Sequence, residues 1–235
     1  MLHPEEPSLK TISSNTQSKS INGRFAVEHS EPGVRCRIQK DRITTLIDSI
    51  YAFAMTLLVI TVDIPSKYEH THDPAPVHTI LMQVLPDLAH FFIAFSILAL
   101  LWYFHHQQFH HLTSLDRPLL CMNIVSLAFV CLIPFSTNIA GDYPLDVLGA
   151  VIFEINILAI GLITLIQWYY IRNQSRVLVP HLDPDQIQRE IQWSWVFPLL
   201  AITGIALAAV RLPWSDGIFL LAPVIMAYLY RKSPV

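Results

Sequence analysis

Charge is scarce in this sequence. Asp, Glu, Lys and Arg make up 14% of its 235 residues and hydrophobic residues 53%, whereas soluble domains carry about 25% charged residues. That balance argues against an ordinary water-soluble domain and makes a membrane protein the first reading. A net charge of −3 supplies no broad basic face to neutralise phosphates, so nucleic acid is not an expected partner. The three cysteines, Cys36, Cys121 and Cys131, are odd in number and two share one apolar segment, so they read as reduced packing residues. No apolar stretch precedes Ile43, so no cleaved secretory signal is expected and insertion falls to the first internal helix. There is neither a G-x-S-x-G elbow nor a phosphate-binding glycine loop, and Ser and His occur in no triad spacing. An enzyme is therefore not expected, and no cofactor or metal is implied.

The apolar residues are clustered into windows of about 20, the length a helix needs to cross the hydrocarbon core. Six spans are expected: Ile43–Ile64, Ile80–Phe104 with Pro86 near its first turns, Pro118–Ala140 with Pro134 near its far end, Leu145–Ile171, Ile191–Val210 and Trp214–Tyr230. Pro118 suits a helix start. Trp102, Tyr103, Trp168, Tyr169, Tyr170, Trp193 and Trp214 lie near span ends, as in interfacial aromatic belts. Residues 1–40, polar and poor in aromatics, read as a disordered cytoplasmic tail, and residues 41–235 as one six-helix transmembrane domain. With the amino terminus inside, the outer face keeps only Lys67 and Arg211, while Arg35, Arg37, Lys40, Arg42, Arg117, Arg172, Arg176, Arg189, Arg231 and Lys232 fall on the inner face. Both termini are thus expected in the cytoplasm of a cell-membrane protein whose surroundings are lipid.

Within the first span, DSIYAFAMTLLVITVDIP, Phe53, Leu57 and Ile60 stand at i, i+4 and i+7 and stack on one face. Thr45, Ser49, Ala52, Thr56 and Asp63 form a small or polar stripe beside it. Lipid gains nothing from that stripe, so it either packs against a helix or borders a watery path. Asp48 is costly near a membrane unless it reaches water or a partner, and reads as an interfacial anchor or a hydrogen-bond hub. His105, His106, His110 and His111 lie in HHQQFHH, where i, i+4 spacing invites a weak metal or pH-sensing reading beside the plainer interfacial one. Glu154, mid-span with Asn156 two residues on, leaves open a carrier that uses an intramembrane carboxylate.

The segment RITTLIDSIYAFAMTLLVITVDIP resembles the signature helix of the transmembrane protein 175 family, which carries Arg, three residues, then Phe-Ser-Asp. Here Arg42 is followed after three residues by Leu46, Ile47 and Asp48, so two motif letters differ. Likeness continues in Phe95 and Ser96, in WYFHH from Trp102 to His106, in Asp116 and Asn123, and in LIPFST from Leu132 to Thr137. The resemblance implies a six-helix subunit of a homotetrameric potassium channel with the first helix around the axis and no P-loop. The sequence agrees in having no GYG among its seven glycines. It further implies Phe53, Leu57 and Ile60 as the pore constriction and Thr56 as its polar contact. Arg42 and Asp48 become structural anchors, with His105, His106 and Asn123 brought against them from the second and third helices. A secondary transporter remains the alternative.

Overall fold

The computed structural model describes residues 40–63, 76–143, 146–212 and 215–232, except for the side chains of Tyr230 and Lys232. The expected disordered tail lies outside the described residues, as does the loop at 64–75 that holds Lys67. All regular structure among the described residues is helical: α1 (Lys40–Leu57), α2 (Val77–His111), α3 (Arg117–Asp142), α4 (Val147–Asn173), the single turn α5 (Ser175–Leu178), α6 (Pro184–Ser194), α7 (Val196–Ala209) and α8 (Leu221–Lys232).

Five stretches are long and apolar enough to cross a membrane, namely Lys40–Thr61, Val77–His111, Arg117–Asp142, Val147–Asn173 and Pro184–Ala209. The sixth expected span is shorter and composite. A 3₁₀ segment, Ser215–Leu220, leads into the 12 residues of α8. Other differences from the expected boundaries have local causes. The second helix runs beyond Ile80–Phe104 at both ends, because hydropathy marks the part suited to lipid whereas Gln and His continue a helix readily. Its 35 residues reach about 52 Å, well past a hydrocarbon core of about 30 Å. Pro86 lies nine residues after Val77, inside the helix, and His90 Nδ1 sits 3.0 Å from the Pro86 carbonyl. The fifth span starts at Pro184, not Ile191: the Asp183 amide donates to Gln186 Oε1 at 3.1 Å, and Pro184 occupies the first turn. This amphipathic α6 turns at Trp195 into the apolar α7. α7 closes on Arg211, whose φ of 57° is left-handed and whose amide donates to the Ala208 carbonyl at 2.8 Å.

α3 packs along α4, and α4 along α7, while α1 lies across α2 and α3. Two glycines set the α4–α7 spacing. A Cβ at Gly161 would stand 2.7 Å from Pro198 Cδ, and one at Gly204 would overlap the Glu154 carboxyl. Asp116 ties two helix ends together, because one carboxyl oxygen caps α3 through the Leu119 amide at 3.2 Å and the other accepts the Tyr170 hydroxyl of α4.

Candidate functional site

Ile47, Tyr51, Ala54 and Leu58 recur at i, i+4, i+7 and i+11 and are buried against the rest of the subunit. Lipid tails are as apolar as these side chains, so the gain here is close packing and not escape from water. The opposite face of the helix is left open among the described residues. Arg42, Thr45, Leu46, Ser49, Ala52, Phe53, Thr56, Val59, Ile60 and Asp63 are all exposed. Phe53 and Ile60 stand out at 64% and 66% exposure, and Leu57 is half-buried at the border between the faces. Only 22% of the apolar window of α1 is buried in the subunit, against 39–44% in the other four long helices.

The hydroxyls on this face are occupied. Thr45 Oγ1 donates to the Asp41 carbonyl at 2.9 Å, Ser49 Oγ to the Thr45 carbonyl at 2.7 Å and Thr56 Oγ1 to the Phe53 carbonyl at 2.8 Å. α1 does not run unbroken to Ile64. After Leu57 it tightens into a 3₁₀ turn, Leu58–Thr61, within the β-branched run Val59, Ile60, Thr61 and Val62 that crowds an α-helical backbone. At 3.0 residues per turn, Leu57 and Ile60 are close to eclipsed.

Asp48 is held by Trp102, which the sequence places in the aromatic belt and in the WYFHH stretch without giving it a partner: Trp102 Nε1 donates to Asp48 Oδ1 at 2.9 Å. An indole N–H is a donor with no acceptor role, which suits a carboxylate at a wet interface. His106 is exposed and lies beside the Trp102 ring at 5.5 Å. His105 is buried behind α1, stacked on Phe109 at 5.0 Å and 5.8 Å from the Tyr51 ring. Asn123 of α3, fully buried, faces the same His105, and Asp48 lies within electrostatic reach of it. His105 and Asn123 therefore come together behind Asp48, while among the described residues neither they nor His106 hydrogen-bonds to it. Arg42 is exposed and forms no ion pair with Asp48. Glu154 is buried between α4 and α7 against Gly204, on an element apart from the open face of α1, and the Asn156 amide donates to Ser136 Oγ at 3.1 Å.

Residues 42–134, which include this face and its supports, match the family model described as endosomal/lysosomal potassium channel TMEM175. A potassium channel of Chamaesiphon minutus is 24% identical over 84% of this chain and 94% of its own, and one of Streptomyces collinus is 22% identical over 62% of this chain and 70% of its own. This chain is similar to the TMEM175 family over residues 42–134. Its fold is that of the crystal structure of a lysosomal potassium-selective TMEM175 homolog from Chamaesiphon minutus, with a TM-score of 0.68 at 22% identity over 83% of this chain and 98% of the other. The TMEM175 relative of Gallus gallus, described as an endosomal/lysosomal proton channel, is 28% identical over 51% of this chain, which spans only 24% of that relative's length. The protein is thus an all-α, multi-pass membrane protein with five long apolar helices and a shorter sixth.

Proposed function

We propose that this protein forms a homotetrameric potassium channel whose axis is lined by the open face of α1. The observation that carries this reading is the unpartnered stripe from Arg42 to Asp63, which has the weakest internal packing of any long helix. Lipid does not account for a stripe that mixes Thr45, Ser49 and Thr56 with large apolar residues; identical stripes meeting around water do. The names of the bacterial relatives, both potassium channels, support the choice of ion. Phe53, Leu57 and Ile60 form the constriction, and Thr56 is the one hydroxyl between them. Three apolar rings, each of four side chains, exclude a bare cation, whose lost hydration is worth tens of kcal/mol, so opening widens them. Arg42 and Asp48 anchor the inner end, Asp48 through Trp102 with His105 and Asn123 behind it.

Ser215–Leu220 at about 2.0 Å per residue and α8 at about 1.5 Å together reach roughly 30 Å, which supports a sixth crossing; six crossings keep both ends on one side, and the basic residues favour the cytoplasmic side of the cell membrane. Purified protein in liposomes under a potassium gradient tests the reading. Potassium flux is expected, and Leu57→Ser is expected to raise it severalfold by wetting the constriction. Flux that saturates and needs a second coupled ion indicates a carrier; proton flux without potassium flux sides with the animal relatives' name.

A further inference from the structure

At the Lys40 end of the molecule four basic groups from three elements converge, and the pore-lining reading uses none of them. Lys40 Nζ, at the start of α1, donates to the Leu112 carbonyl at 2.6 Å and to the His110 carbonyl at 3.5 Å, across the end of α2. His110 and His111 occupy the last turn of α2, with ring centroids 6.0 Å apart. His181, in the loop between α5 and α6, places Nδ1 3.5 Å from Thr113 Oγ1. The α2–α3 loop is itself fastened to α5, through the Thr113 amide to the Leu178 carbonyl at 2.8 Å and Ser114 Oγ to the Val177 carbonyl at 3.3 Å.

The charged or titratable groups that act on His111 are His110 from its own helix, His181 from the loop and Lys40 from α1. All are basic. The acid nearest in sequence within the α2–α3 loop, Asp116, is already engaged by the Leu119 amide and the Tyr170 hydroxyl. A helix carboxyl end ordinarily repels anions, but here the Lys40 ammonium covers the end carbonyls and leaves the imidazoles to set the local sign. With α2 about 52 Å long and Trp102 near the lipid boundary, this turn projects to the level of lipid headgroups or just beyond it.

We propose that Lys40, His110, His111 and His181 bind a phosphate monoester, carried either by a lipid headgroup such as phosphatidic acid or by a soluble phosphate. An ammonium, with imidazoles beside it that can take up protons as the anion docks, matches the two negative charges of a monoester better than the one of a diester. The occupant bridges the start of α1 to the end of α2 and the α5–α6 loop. It also offsets positive charge at one mouth of the channel, so on the proposed function it raises cation flux.

The test uses the full-length protein in detergent, titrated calorimetrically with short-chain phosphatidic acid and, separately, with inorganic phosphate. Binding is expected to be on the order of tenfold tighter at about pH 6 than at about pH 8. That difference is expected to vanish in His111→Gln/His181→Gln and to shrink in His110→Gln, whose side chain is exposed. Competition by inorganic phosphate assigns a soluble source; binding of phosphatidic acid that inorganic phosphate does not displace assigns a lipid one. Absence of binding by either probe at the lower pH, or unchanged binding in both variants, overturns the inference. Flux in liposomes with and without phosphatidic acid is measured last: binding without potassium flux leaves the site standing and refutes only the channel reading.

Discussion

Gly161 and Gly204 are filled by their neighbours in different ways, and the difference predicts unequal costs. At Gly161 an added Cβ meets the Pro198 ring, which has no rotamer to retreat into. At Gly204 it meets the end of a flexible Glu154 side chain. Gly161→Ala is expected to destabilise by about 1–3 kcal/mol, and Gly204→Ala by less, read as thermal unfolding in detergent. Gly141, with nothing near its Cβ direction, serves as the neutral control. Asp48 and Trp102 invite a double-mutant cycle. Trp102→Phe removes the donor, and because the bond is exposed and water can replace it, the cost is expected to be about 0.5–1.5 kcal/mol. Asp48→Asn, which keeps an acceptor oxygen, is expected to cost less. This pairing was the least legible part of the site: Asp48 announced a need for a partner, but Trp102, 54 residues away, carries a side chain that interfacial burial explains equally well. His105 and Asn123, expected against Asp48, stand one layer behind it, because sequence spacing gives a helix face and not the depth at which side chains meet.

α1 has two faces with separate duties, and substitutions on each have separate expected effects. Leu58→Ala, on the buried face, is expected to lower stability by about 2–5 kcal/mol in any oligomeric state. Ser49→Trp, on the open face, is expected to leave the subunit folded by circular dichroism while shifting the oligomer measured by cross-linking. A Trp at that position without effect on assembly removes the face from any subunit contact. The division was largely readable from the sequence, since of the positions 45, 49, 52, 53, 56, 57, 60 and 63 singled out there all but the half-buried Leu57 are exposed. The 3₁₀ turn after Leu57 was not, because hydropathy is blind to whether a β-branched run holds 3.6 or 3.0 residues per turn. The same blindness hid the 3₁₀ opening of the sixth span and the polar overhang of α2. Phe53→Ile, within the regular part of α1, is expected to increase potassium current in bilayer recordings if the ring narrows the path; an unchanged current places the ring aside from it.

For the whole molecule, side-specific labelling examines the orientation expected from the basic residues. In a background without native cysteines, Cys introduced at Asp41 and at Gln188 is expected to react with a membrane-impermeant reagent from one side, and Cys at Asp63 from the other. Labelling of all three from one side refutes the topology. The broad architecture was legible because lipid demands long apolar helices whatever the rest of the chain does.

The three hydroxyls on the open face bear on a further property. Because Thr45, Ser49 and Thr56 each spend their proton on a carbonyl of their own helix, what they turn outward is lone-pair density without hydrogen. Repeated by symmetry, such a lining would be electron-rich at every polar rung. It would welcome positive ions and turn chloride away with no charged side chain among those rungs.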